Sequence, residues 1–332
     1  MNKLKFFKEY GYMPHPQMMQ IEITNACPLR CPQCFVSEFR QNFMDLETYR
    51  TIIDEAKSIG VSGIVLFGGE PMFHPQIMQF LEYAFEADLH VFLYTSGWGF
   101  TEQILSLFKM HISQFTILIS LNGSCKEVHE RSRNNFELTF GAILKLYGLN
   151  IPYIINWVSR QDNVNDLPQL VQLAYKYHAL KINVVANKIN SKGDIVEPLT
   201  LESLLFIKDI ISKNTDLFCI ENCNEILNNI IYGANKNEFS GCAAGVYNCS
   251  ITCDLFFVPC MHLMFKEKFG SIMEYWNNSS VLLNLRNSKK RKDCQGCIYA
   301  SNCNFCIALS NVTYKDFRAS IPNCIIRRND YV

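Results

Sequence analysis

Two hydrophobic periods alternate along the first two thirds of the chain. Short apolar runs at residues 18–24, 63–67, 90–95, 115–121, 153–158 and 181–185 are rich in Ile, Val, Phe and Leu. Gly, Asn, Ser or Pro bounds each of them, the pattern of strands. Between the runs lie amphipathic stretches with the helical period. In residues 46–59, Ile52, Ile53, Ala56 and Ile59 share one face; in 76–87, Ile77, Phe80, Leu81 and Ala84 do. Further helices are predicted at 101–110, 136–149, 166–178 and 200–212, the last with Thr200 as its N-cap.

Strand–helix repetition at this spacing implies βαβ units and a parallel sheet. Several strands are nearly all apolar, as in a sheet buried on both faces. Six units fall short of the eight of a closed barrel, and periodicity alone does not separate an open barrel from a doubly wound sheet. After about residue 215 the pattern fades, and eleven of the fifteen cysteines lie at position 219 or later. Such a segment needs staples, and metal centres are one solution.

Composition narrows the function. A chain of 332 residues allows two domains, or one large α/β domain with an appendage. Lys+Arg and Asp+Glu are 31 each, so the net charge is zero, which argues against tracking nucleic acid by bulk electrostatics. No apolar run reaches the ~18 residues of a membrane span. The charged N-terminus has no signal-peptide h-region. A cytoplasmic location is therefore expected, with neither nucleic acid nor membrane as partner. An odd cysteine count in a long chain fits a disulfide scaffold badly, and clustered cysteines in a reducing compartment point to metal ligands.

Cys27-Pro-Leu-Arg-Cys31-Pro-Gln-Cys34 follows the first strand directly. Chemistry in parallel α/β sheets sits at the carboxyl ends of strands. Three thiolates on one such loop hold a metal centre and leave a coordination position open. The Cys-x3-Cys-x2-Cys spacing resembles the cluster motif of the radical S-adenosylmethionine (SAM) enzymes. Three more segments match that family in order and placement. Gly68-Gly69-Glu70-Pro71 ends the second strand and resembles its GGEP segment. Thr95-Ser96-Gly97 ends the third and resembles Thr-Asn-Gly. Ser120-Leu121-Asn122-Gly123, with Arg133 downstream, resembles Ser-Leu-Asp-Gly and its arginine.

The resemblance covers residues 18–215 and implies a partial (β/α)6 TIM-type barrel. It also implies that Cys27, Cys31 and Cys34 hold a 4Fe–4S cluster whose fourth iron SAM chelates. Gly68, Gly69, Glu70, Pro71, Thr95, Ser96, Ser120, Asn122 and Arg133 would then bind SAM. Arg133 is preferred over Arg131. Two positions depart from the pattern. Gln33 stands where an aromatic residue usually packs on adenine, leaving Phe35 as the candidate for that role, and Asn122 replaces the usual Asp.

Residues 242–324 resemble the SPASM extension, which carries two auxiliary 4Fe–4S clusters. By that analogy Cys294, Cys297, Cys303 and Cys324 hold one cluster, and Cys242, Cys260 and Cys306 hold the other. The second set's fourth ligand would be Cys219, Cys223, Cys249 or Cys253, or would be missing and leave an iron open to substrate. The quartet ends with x2 where x3 is usual, and Leu255 stands where a glycine is usual. The expected organisation is an extension at 1–17, the radical SAM barrel at 18–215 and a small cysteine-rich iron–sulfur domain at 216–332.

The resemblance implies reductive cleavage of SAM to a 5′-deoxyadenosyl radical, which abstracts hydrogen from a residue of a ribosomally made peptide. A crosslink, an oxidation or an epimerised centre would result. Epimerisation would need a hydrogen donor, for which a cysteine outside the cluster sets is the candidate: Cys125 near the SAM segments, or Cys219, Cys223, Cys249 or Cys253, although free cysteine is more often an inert buried side chain. The first 17 residues are too few for a leader-binding domain, so a separate leader-binding protein is expected, with a flavodoxin- or ferredoxin-type electron donor. One alternative keeps the chemistry on a small non-peptide substrate. A second makes the chain a zinc-stapled binding module without catalysis.

Overall fold

Met19, Ile21 and Ile23 are wholly buried, whereas Gln20 between them borders a cavity. That alternation sets the architecture, because successive strand residues face opposite sides of a sheet. The computed structural model describes residues 3–34, 36, 40–188, 197–232, 241–263, 265–287, 294, 297, 303, 305–317, 319 and 324. Strands β1 (Met18–Thr24), β2 (Gly63–Gly68), β3 (His90–Thr95), β4 (Phe115–Ser120), β5 (Tyr153–Ser159), β6 (Lys181–Ala186) and β7 (Phe218–Ile220) each pair in parallel with the next. β8 (Asn248–Ile251) lies parallel on the other side of β1, and β9 (Phe257–Val258) pairs antiparallel with β8. The order β7-β6-β5-β4-β3-β2-β1-β8-β9 is singly wound and open, a partial barrel.

All six expected strands form, each ending within one residue of its predicted limit. The expected helices form too, including Leu46–Ser58, Ile77–Glu86, Glu102–Met110 and Leu201–Lys213. Caps fix where they begin. Asp45 accepts from the Thr48 N–H, Thr101 from the Ile104 N–H and Thr200 from the Ser203 N–H. The helices cover the outer face of the sheet. Their apolar sides meet Ile64, Leu66, Val91, Leu93, Ile117, Ile119, Ile155 and Trp157 in one continuous core. Tyr49 stacks on Phe80 at 4.2 Å in that layer.

The inner face is different. Gln20, Val65, Phe67, Tyr94, Ser120, Asn156 and Val185 border the cavity. The sheet also runs past residue 216. β7 and β8 both belong to it, and Phe218, Leu227, Ile251, Trp276 and Ile307 share the barrel's core. No helix among the described residues is long and apolar enough to cross a membrane.

Candidate functional site

The cysteine loop leaves the carboxyl end of β1 and is tied back on itself. Cys34 N–H donates to the Cys31 carbonyl (3.1 Å), and Leu29 N–H donates to Cys27 Sγ (3.3 Å). Cys27, Cys31 and Cys34 all face one cavity of about 300 Å³. Burial pushes the Cys27 thiol up to about 12, with Glu70, Cys31 and Cys34 adding to the rise. Burial also raises Cys34, against Arg133 and Arg30. Thiols held this way ionise when a cationic metal replaces their protons.

The end of β2 presses against this loop. Gly69 N–H donates to the Thr24 carbonyl (2.8 Å), and Glu70 N–H to the Ala26 carbonyl (2.9 Å). A Cβ at Gly68 would stand 2.1 Å from Thr24 O, and one at Gly69 would stand 2.1 Å from Ala26 O. The glycines are thus required by the chain's own backbone approach. Glu70 is buried and joins the ends of β2 and β3. Its carboxylate accepts from Thr95 Oγ1 (2.6 Å), Ser96 N (2.8 Å), Ser96 Oγ (2.6 Å) and Met72 N (3.2 Å). Burial raises its pKa while these donors oppose the rise.

The β4 end supplies the third wall. Ser120 lines the cavity, as does Arg133. Arg133 Nε is buried with no hydrogen-bond partner, a donor available to an anionic ligand group. Arg131 is used elsewhere, on the carbonyl of Asp162. Asn122 takes a different role from the one expected. Its Nδ2 donates to Ser132 Oγ (2.8 Å), its Oδ1 accepts from Val158 N (3.1 Å) and its N–H donates to His129 Nδ1 (3.2 Å). It braces the loop and does not line the cavity. Pro71 and Cys125 are also outside the lining. Pro71 opens the short helical turn Pro71–Phe73, and Cys125 heads the helix Lys126–His129. Phe35 lies outside the described residues.

Cys223, Cys242, Cys260 and Cys306 line the same cavity. Cys242 and Cys223 share a hydrogen bond that lowers Cys223 and holds Cys242 protonated. Burial pushes Cys260 up to about 12 and Cys306 to about 11. Among the four candidates for the missing ligand, the structure brings only Cys223 to this group. Cys219 reaches Asn183 Oδ1 (3.6 Å), Cys249 packs on Met19 Sδ (3.2 Å), and Cys253 N–H donates to Glu22 Oε2 (3.1 Å). Cys294, Cys297, Cys303 and Cys324 are half-buried and do not line the cavity. Cys297 N–H donates to the Cys294 carbonyl, and Asn229 Nδ2 donates to Cys303 Sγ. All fifteen cysteines are free thiols in the structure. Among the described residues no three His, Cys, Asp or Glu side chains are placed to share one metal ion.

Sequence reasoning missed Gln20, Asn156, Lys188, Glu221 and Asn248, which also line the cavity. The available signal was a polar residue inside an otherwise apolar strand, as at Gln20 and Asn156.

Residues 21–174 match the profile of the radical SAM superfamily. The AdoMet-dependent heme synthase of Methanosarcina barkeri is 25% identical over 94% of this chain and 97% of its own length. The PqqA peptide cyclase of Ruegeria pomeroyi is 29% identical over 52% of this chain, which spans 47% of that protein. Among solved structures, Streptococcus suis SuiB bound to S-adenosylmethionine superposes with a TM-score of 0.80 at 16% identity, covering 97% of this chain and 80% of that one. The anSMEcpe structure with bound AdoMet and Cp18Cys peptide gives 0.73 at 15% identity, covering 94% of each. At such identities the likeness is one of fold. Three cavity-facing thiols, the buried cradle around Glu70 and the unpartnered Arg133 Nε fit a 4Fe–4S cluster and SAM.

Proposed function

We propose that this radical SAM enzyme, whose family domain spans residues 21–174, oxidises a residue of a peptide. When bound, the cluster and SAM together supply a 5′-deoxyadenosyl radical able to remove hydrogen from unactivated carbon. The chain's own residues hold the geometry. Cys27, Cys31 and Cys34 would ligate the first cluster, and Gly68, Gly69, Glu70, Thr95, Ser96, Ser120 and Arg133 would cradle SAM. Cys223, Cys242, Cys260 and Cys306 would ligate an auxiliary cluster. Cys294, Cys297, Cys303 and Cys324 would hold a second one.

The observation that carries this reading is a single cavity lined both by the first three thiols and by four more. A four-thiol set leaves no iron open to substrate, which favours an electron acceptor over a substrate ligand. A net oxidation, as crosslink or dehydrogenation, is therefore preferred. Epimerisation needs a hydrogen donor facing the cavity, and Cys125 does not face it. The peptide cyclase likeness supports a peptide substrate, as does the shared fold with proteins solved with bound peptides. A flavodoxin- or ferredoxin-type donor would supply the electron, and a separate protein would present any leader.

A small non-peptide substrate is the second reading. The near full-length match to the heme synthase favours it, whereas the peptide cyclases are spanned over only about half their length. The family match removes the non-catalytic zinc module. Both remaining readings meet one experiment. Anaerobic enzyme is incubated with dithionite, SAM and a deuterated extract of cells that make the protein, with and without prior peptidase digestion. Deuterium entering 5′-deoxyadenosine, and lost after digestion, is the expected result. Deuterium transfer that survives digestion would replace the peptide with a small molecule.

A further inference from the structure

The cavity that both thiol groups line also holds a charged pair that hydrogen abstraction leaves unused. Lys188 stands just past β6 and Glu221 just past β7, so neighbouring parallel strands deliver the two side chains together. Their ammonium and carboxylate form a salt bridge, the side chains being 9% and 27% exposed. Ala186 N–H donates to the second carboxylate oxygen at 3.4 Å. The pair lines the same cavity as Cys223, Cys242, Cys260 and Cys306, and Glu221 lies two residues before Cys223.

We propose that Lys188 and Glu221 set the reduction potential of the iron–sulfur cluster held by Cys223, Cys242, Cys260 and Cys306, Lys188 raising it and Glu221 lowering it. This rests on the ligand set proposed above. Reduction adds negative charge to the cluster. A cation beside the thiolates stabilises the reduced form, and an anion opposes it. Stability is a weak reason for such a pair, since desolvation of two half-buried charges offsets much of their attraction. Both are positioning residues, acting through the cluster's surroundings.

The test is an anaerobic potentiometric titration followed by electron paramagnetic resonance, in a chain carrying Cys27→Ala, Cys31→Ala and Cys34→Ala. The signal lost on adding Cys223→Ala identifies this cluster. Lys188→Gln is expected to lower its midpoint, cutting the reduced-to-oxidised ratio at fixed potential roughly tenfold, ~59 mV for one electron. Glu221→Gln is expected to move it the opposite way. The double variant is expected to return near the starting value, and Lys188→Arg to keep it. Shifts of one sign, or none with iron content retained, would overturn the inference while leaving the ligand set standing. If Cys223→Ala removes neither signal nor iron, the ligand set itself fails.

Discussion

Glu70 and His129 show how single residues hold the chamber. Four donors converge on the Glu70 carboxylate inside the protein. Truncation leaves them unpaired, at about 1–3 kcal/mol for each buried group. Glu70→Ala is expected to weaken SAM binding at least tenfold by titration calorimetry and to lower Tm; unchanged affinity would remove Glu70 from the SAM cradle. His129 is buried, and burial followed by the Arg133 charge lowers it to about 4. It is neutral when it accepts from the Asn122 N–H. Its folded pKa lies below its unfolded value near 6.5, so its stabilising contribution is complete above that value. The contribution is lost as pH falls from about 6.5 to about 4. His74 and His90 are lowered in the same sense, also by burial. In urea unfolding across this range, His129→Gln is expected to flatten part of the acid limb. A slope equal to wild type would show that His129 does not titrate in this window.

Among elements, the first six strands are legible because each apolar run is contiguous and flanked by turn residues. β7 has three residues and β8 four, and β8 pairs with β1 across some 230 positions of sequence, as in Met18 with Asn248. No local pattern encodes such a partner. The motif loops are legible for the same reason as the strands, being short and continuous. Cys223 was only one of four candidates, because its neighbours come from separate segments. Asn122 matched a motif position, yet its side chain is consumed by Ser132 and Val158. Two element-scale outcomes follow from the geometry. Gly69→Ala places a Cβ 2.1 Å from Ala26 O, so the cysteine loop must shift. Iron content is expected to fall by about one cluster of four irons while circular dichroism stays unchanged; full iron would show that the loop tolerates the shift. Thr200→Ala is expected to cost about 1 kcal/mol in chemical unfolding.

For the whole molecule, the barrel and the cysteine-rich segment share one sheet and one core, and both bring thiols to one cavity. Each segment brings its own thiols to the cavity: the first three follow β1, and the four-thiol group draws on residues from 223 to 306. Unfolding of the full chain is therefore expected as a single calorimetric transition, and two resolved transitions would separate the segments. The most direct test is 5′-deoxyadenosine formation from SAM under dithionite, comparing anaerobic wild type with Cys27→Ala. The wild type is expected to form 5′-deoxyadenosine and the variant none. Equal formation by both, or none by an iron-loaded wild type, would contradict radical SAM chemistry in this chamber.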